Sequence, residues 1–343
     1  MARDFWFADP RRYRDRVATQ SDQLLLPGMA GELERVAAAL KAAVVTGDPY
    51  FSELTSHLVD AGGKLLRPAL AVAAGAVADP SSPVADEVVL GAAAVELVQI
   101  GSLYHDDVMD EALTRRSVES VNARWGNLQA ILAGDFLLAK ASEIAASLGT
   151  EVAGLLAATI GRMCEGQVAE LQTTFDISRT DEQYTTAIEG KTASLFAAAA
   201  RIGALVVGLP RGDIESLTTF GQHYGMAFQV VDDILDVVAT DEQLGKPAGN
   251  DLAEGIYTAP VIRALANPLV GGELADLLGS PLVADDVDRA RKLVRSGDAI
   301  EVATSLGRSY CTEAVRALAD LPENPAVDHL RGMATGLLDH IPA

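Results

Sequence analysis

Residues Gly221 to Pro260 read GQHYGMAFQVVDDILDVVATDEQLGKPAGNDLAEGIYTAP, and how their aspartates sit among apolar residues decides what fold can hold them. Met226, Phe228, Val230, Val231, Ile234 and Leu235 predict a largely buried helix, and at ~100° per residue Asp232 and Asp236, flanking Asp233, are read onto one face of it. Carboxylates beside a core are costly unless something positive neutralises them. The same spacing recurs at Asp106, Asp107 and Asp110, at the end of an apolar run from Val84 to Tyr104. A single acidic triplet is usually the solvated end of a helix. Two of them, both embedded in apolar helices, point to a metal cage.

The bulk composition narrows the fold and the ligand. A chain of 343 residues is long for one core, yet an all-helical fold of this length can close as a single domain. With 49% hydrophobic and only 5% aromatic residues, the core must be built from Ala, Leu and Val, which favours closely packed helices. The 27 basic against 48 acidic residues give a net charge of −21, which argues against nucleic acid or an anionic membrane surface as partner. An anionic ligand would need local cations. Cys164 and Cys311 fall in helical patterns without metal-ligand spacing and read as small core residues, compatible with a reducing cytoplasm. No apolar run reaches the ~18 residues of a membrane span, the richest, Thr192 to Leu209, being interrupted by Arg201, so no integral membrane association is expected. The N-terminal MARDFWFADPRRYRDR lacks the apolar stretch of a secretory signal. Residues 1–20 are set apart as an arm without an assigned role, ahead of one all-helical domain over 21–343.

In chain order, helical spacing covers Met29 to Val45 and Phe51 to Val59, which runs into the turn Gly62-Gly63-Lys64 ahead of Arg67-Pro68. The glycines allow a tight turn that could aim Lys64 and Arg67 at one external object; the plainer reading is a helix cap followed by a solvated charge pair. Further helices are expected over Val84 to Glu111, Asn122 to Leu148, Val152 to Leu171, Gln183 to Leu209 and Ile214 to Val238. Arg115 and Arg116 fall in a loop, Thr240 to Thr258 reads as a functional loop, and no strand alternation is evident.

Clustered hard oxygen ligands suit Mg²⁺, which takes one or two protein carboxylates, several waters and the oxygens of a substrate phosphate. Calcium is a weaker choice, since an EF-hand carries its ligands on a loop. Arg115, Arg116, Lys191 and Lys246 lie where they could neutralise phosphate oxygens.

These residues bring a family into view. GGKLLRP at Gly62 to Pro68, ELVQIGSLYHDDVMDEALTRR at Glu96 to Arg116, AILAGDFL at Ala130 to Leu137, KTASLF at Lys191 to Phe196, AFQVVDDILD at Ala227 to Asp236 and GKPAGNDLAEG at Gly245 to Gly255 together resemble the trans-isoprenyl diphosphate synthases of the polyprenyl synthetase family. The resemblance implies an all-α bundle around a central cavity and a homodimer. It implies metal ligation by Asp106, Asp110 and Asp232, supported by Asp107, Asp233 and Asp236, with a cluster of about three Mg²⁺. Arg115, Lys191, Gln229 and Lys246 would grip an allylic diphosphate, and Lys64, Arg67, Gln99 and Arg116 would bind isopentenyl diphosphate. The implied reaction ionises the allylic C–O bond and adds the isopentenyl double bond to the cation, and the departing diphosphate takes the proton, leaving His105 a packing role.

Chain length is read from the helix before Asp106. Val98, Gly101 and Ser102 stand where short-chain members place aromatic bulk, so a product of about C20 or longer is expected, at ~1.5 Å of channel per residue uncovered. Bulk from another helix, such as Phe136 or Met163, could close the channel instead. The chain departs from the family pattern at Leu65, Gln99, Ser117 and Ile256. Leu65 and Gln99 would loosen the isopentenyl pocket, which makes a terpene cyclase on the same scaffold the alternative. A non-catalytic partner subunit fits less well because both acidic motifs are complete, and a metal-storage bundle would need Glu-x-x-His pairs.

Overall fold

The computed structural model describes residues 26–241 and 248–342. The arm at 1–20 and Lys246 lie outside the described residues. Helices α1 (Met29–Val44), α2 (Pro49–Asp60) and α3 (Leu66–Ala76) precede the long α4 (Asp86–Met109). A two-residue hairpin, β1 (Thr114–Arg115) and β2 (Val118–Glu119), leads into α5 (Val121–Trp125), α6 (Asn127–Ser147) and α7 (Thr150–Leu171). Then come α8 (Asp181–Ile188), a π-helical turn (Glu189–Ala193), α9 (Ser194–Val206) and α10 (Arg211–Val238). The short α11 (Asn250–Ala253) is followed by α12 (Ala259–Ala266), α13 (Gly271–Leu277), α14 (Ala284–Ser296), α15 (Ala299–Ala317), α16 (Pro325–Thr335) and a 3₁₀ turn at Leu337–His340.

Local chemistry sets several of these boundaries. The Asp48 carboxylate accepts from the Tyr50 N–H at 3.0 Å, and Pro49, with no N–H to leave unpaired, opens α2. Thr180 and Gln183 form a reciprocal capping box at the start of α8. Packing does the rest: α4 lies along α6, while α10 lies along both α9 and α15. The main core is Ala-, Leu- and Val-rich, as composition required, and two smaller clusters sit against α10 from the C-terminal helices.

The structure corrects several expectations. By length and composition α4 would pass for a membrane span, but 72% of its apolar window is buried inside the protein, so its apolarity belongs to the core. The expected helix over Gln183 to Leu209 is three segments, broken by the π turn, and the one over Asn122 to Leu148 is interrupted at Gly126. The arginine loop contains paired strands, and α3 is a further helix: Pro68 to Ala76 is buried all round and shows no apolar period. Cys164 is exposed rather than core, since α7 turns that face outward; Cys311 is buried.

Arg116 and Ser117 link β1 to β2 with φ of 53° and 62°, the left-handed pair that closes a two-residue hairpin. A Ser there is strained where Gly is not. Ser117→Gly is expected to stabilise the protein by about 0.5–1 kcal/mol, which thermal or urea denaturation against the parent will measure.

Candidate active site

Two buried helices each leave one stripe facing open space. Between Gly91 and Tyr104 every residue of α4 is buried except Gln99, Ser102 and Leu103, and Asp106, half-buried, continues that stripe one turn on. From Tyr224 to Val237 on α10, only Phe228, Gln229 and Asp232 are not fully buried. Asp106, Asp110 and Asp232 are thus the members of their motifs with solvent contact, Asp110 being exposed at the end of α4, while Asp107, Asp233 and Asp236 point into protein.

The π turn supplies the cation of the site. Its wider winding carries Lys191 toward α4, where Lys191 feels the charges of Asp106 and Asp110 and forms an ion pair with Glu170 of α7. This needs α7 and the turn to touch: a Cβ on Gly166 would lie 2.3 Å from the Lys191 nitrogen, and one on Gly190 2.7 Å from the Arg162 carbonyl. Thr192, the next residue, donates to Gln229 Oε1 at 2.8 Å, and Gln229 Nε2 donates to Asp233 Oδ1 at 2.8 Å. The Glu170–Lys191 pair and its neighbours therefore bridge the two acidic helices.

Electrostatics mark where positive charge is needed. Burial pushes the Asp106 carboxyl up to about 6, with Asp110 and Asp107 adding to the rise and Lys191 and Arg115 opposing it. Burial likewise raises Asp107 and Asp110 against the pull of their cations. Asp233 is pushed up to about 7 by burial, although hydrogen bonds from Tyr184 and Gln229 oppose the shift. Burial lowers Lys191, but Glu170, Asp106 and Asp110 together outweigh it and hold the ammonium above its usual range.

A second cluster lies under the Gly62-Gly63 turn. The Arg116 guanidinium donates to the Leu58 carbonyl at 2.8 Å and to Glu96 at 3.2 Å, and Gly63 leaves room for it, since a Cβ there would come within 2.9 Å. Arg67 stands over the Phe196 ring at 4.3 Å. Burial lowers it to about 10, Glu96 opposing and Arg116 reinforcing the shift. Its Nε has no hydrogen-bond partner among the described residues. Lys64 borders this side, close enough to His340 to lower the imidazole, which burial lowers first. Leu65, with φ of 52°, caps α3 and packs partly into the core, and Gln99 lies on the open stripe of α4.

The other anticipated positions fall as follows. Arg115 donates from Nε to Asp107 Oδ1 at 2.6 Å, so it is tied to the first motif. Val98 is buried, and Gly101 faces α6, where a Cβ would meet the Gly134 carbonyl at 3.1 Å and Leu138 at 3.2 Å. Ser102 is half-buried on the open stripe of α4 and donates to the Gln99 carbonyl at 2.9 Å. Phe136 packs edge-on against Phe51, 5.0 Å between centroids, and Met163 is half-buried on α7. His105 Nε2 is 3.2 Å from the Ile131 carbonyl and 3.5 Å from Asp135. Sequence reasoning missed Glu96, Glu170, Thr192, Tyr184 and Arg179. Glu96 carried a signal, a lone acid among apolar residues of a buried helix; Glu170, on a largely exposed helix, and Tyr184 carried none.

The donors suit a hard divalent cation. All are carboxylates, Asp106 is raised as an uncompensated anion would be, and Asp107 Oδ2 is buried without a hydrogen-bond partner. Among the described residues no three His, Cys, Asp or Glu side chains stand close enough to hold an ion by themselves. An ion here would take a carboxylate or two and complete its shell with water and phosphate oxygens, which is the habit of Mg²⁺.

Comparison with known proteins bears on the chain as a whole. The family model for polyprenyl synthetase matches residues 48–294. The chain is 35% identical to a nonaprenyl diphosphate synthase of Mycobacterium tuberculosis over 89% of its own length and 91% of the relative's. It is 36% identical to component 2 of the heptaprenyl diphosphate synthase of Geobacillus stearothermophilus, covering 89% and 95%. A polyprenyl synthase from Caulobacter crescentus, solved with calcium and isoprenyl diphosphate, superposes with a TM-score of 0.86 at 31% identity, covering 94% of this chain and all of that one.

Raising a buried carboxyl from 3.8 to about 6 destabilises the metal-free fold. The native state binds the extra proton between those values, so stability falls as pH rises through that window and the full cost applies above it. Because Asp106 keeps some solvent contact, the cost is at most about 3 kcal/mol. Metal-free Asp106→Asn should therefore melt several degrees above the parent at pH 8, with the difference gone near pH 4, as calorimetry will show.

Proposed function

This chain belongs to the polyprenyl synthetase family and is a trans-prenyltransferase, and on that premise we propose that it joins isopentenyl diphosphate to an allylic diphosphate, with magnesium, to make a polyprenyl diphosphate of C20 or longer. The observation that carries this reading is the pair of half-buried aspartates, Asp106 and Asp232, on two otherwise buried helices bridged through the Lys191–Glu170 ion pair.

Asp106, Asp110 and Asp232 would hold the magnesium, about three ions with few protein ligands each. Magnesium supplies Lewis-acid stabilisation of the departing diphosphate. Lys191, kept protonated by its carboxylate neighbours, adds a fixed positive charge where the leaving group gathers negative charge. Arg115 does the same from the first motif, and Gln229 presents its amide from α10. Lys246, in the family's motif, is assigned to the same grip.

The second diphosphate is assigned to Lys64, Arg67 and Arg116, with Gln99 on the adjoining stripe. Glu96 reduces the repulsion between the two guanidiniums without cancelling both, which leaves the cluster net positive for a dianionic ligand. The allylic C–O bond breaks with its electron pair leaving on the diphosphate, and the isopentenyl double bond attacks the resulting cation. The released diphosphate accepts the proton lost next. His105 is turned toward α6 and is not asked to act as base. The growing tail would run past Ser102 and Leu103, the open stripe below Asp106.

Asp106→Ala or Asp232→Ala should lower turnover by at least about 10³-fold. The assay is incubation with labelled isopentenyl diphosphate and geranyl, farnesyl or geranylgeranyl diphosphate, followed by product chromatography. Elongated diphosphates are expected, and a cyclic hydrocarbon from the allylic substrate alone would overturn the reading in favour of a cyclase. Near-parental turnover of either variant would remove the metal assignment.

A second copy of the chain is the partner we assign. Leu128, Ile131 and Leu132 of α6 and Val168 and Leu171 of α7 are large apolar residues between 41% and 66% exposed, and an apolar surface of this kind favours a partner. The two unpaired cysteines suit a cytoplasmic setting. Light scattering should give twice the 35.9 kDa chain mass, and Leu132→Glu should shift it toward the monomer. A monomeric parent that needs a second gene product for activity would favour a hetero-oligomer instead.

A further inference from the structure

Asp233, the middle carboxylate of the second motif, is only 2% exposed and lies about 100° around α10 from Asp232. Both of its oxygens are engaged. Tyr184 Oη of α8 donates to Oδ2 at 2.5 Å, and Gln229 Nε2 donates to Oδ1 at 2.8 Å. Gln229 Oε1 accepts from Thr192 Oγ1 at 2.8 Å, so the amide is oriented from both ends. Tyr184 is itself buried, and the Arg179 guanidinium stands 5.7 Å from its ring centroid. Arg179 is tied to the Tyr257 carbonyl at 3.1 Å and drawn toward Glu170 and Asp233. One buried path therefore runs Tyr184, Asp233, Gln229, Thr192, from α8 through α10 to the turn that carries Lys191.

Resting on the reading above, we propose that Tyr184 is a positioning residue for the metal-binding motif of α10. Its hydroxyl holds Asp233 as a buried acceptor, so that Asp232 is the carboxylate offered to a divalent cation and Gln229 keeps its orientation beside Lys191. Asp233 is buried from bulk solvent, so without the phenol the carboxylate must turn toward another donor and drag Gln229 with it. Partners one shell out from a metal ligand typically contribute about 10–100-fold to metal affinity or activity.

The test uses full-length protein and Tyr184→Phe, Asp233→Asn and the double variant. Two quantities are read: the Mg²⁺ concentration giving half of the melting-temperature rise in the presence of inorganic diphosphate, and kcat with KM for each substrate. Tyr184→Phe should raise that Mg²⁺ concentration about 10-fold or more and lower kcat, with KM for isopentenyl diphosphate unchanged because Arg67 and Arg116 stand apart from this path. The double variant should lose no more than the worse single one, as members of one unit do. Parental metal dependence in Tyr184→Phe, fully additive losses, or a rise in the KM of isopentenyl diphosphate in step with a fall in metal-free melting temperature would each overturn the proposal. Elongation by the parent protein in the same assay separates that outcome from failure of the prenyltransferase reading.

Discussion

The ion pair between Lys191 and Glu170 is the contact on which the rest of the site depends. The first motif crowds Asp106, Asp107 and Asp110 at the end of α4, where burial and neighbouring carboxylates raise them against the pull of Lys191 and Arg115. Lys191 answers Asp106 and Asp110 on one side, and Glu170 keeps it from collapsing onto either. The site is left short of positive charge.

Backbone geometry makes the pair possible. A regular α-helix from Asp181 to Val206 would carry Lys191 around at the ordinary pitch; the π turn widens it, and Gly166 and Gly190 let two backbones come close enough for Lys191 to reach Glu170. The same economy of space appears at Gly101 and Gly134, where α4 and α6 meet. Gly101 is therefore explained by helix contact with α6. The stripe that opens to the cavity is the neighbouring one through Gln99, Ser102 and Leu103.

Two departures from the family pattern acquire a physical account. Leu65 caps α3 in a left-handed conformation and packs into the main core, so its apolar side chain stabilises the turn that carries Lys64. Ser117 sits in the hairpin that places Arg115 on Asp107 and Arg116 on Glu96, and its left-handed φ carries strain there. The Ser117 change removes no charged group from the site.

Much of this protein was legible from residue order. Helical period, Ala-rich composition and acidic triplets inside apolar runs sufficed for an all-α fold, because amphipathic spacing and the cost of burying charge are local properties. What residue order could not decide was which aspartate of each triplet faces solvent, how Lys191 is carried toward the first motif, and which remote side chains hold the others in place. Tyr184 and Asp233 are 49 positions apart, and Arg116 and Leu58 are 58. Those pairings exist only once helices have packed, since a hydrogen bond across such a distance in the chain leaves no periodic trace in the sequence.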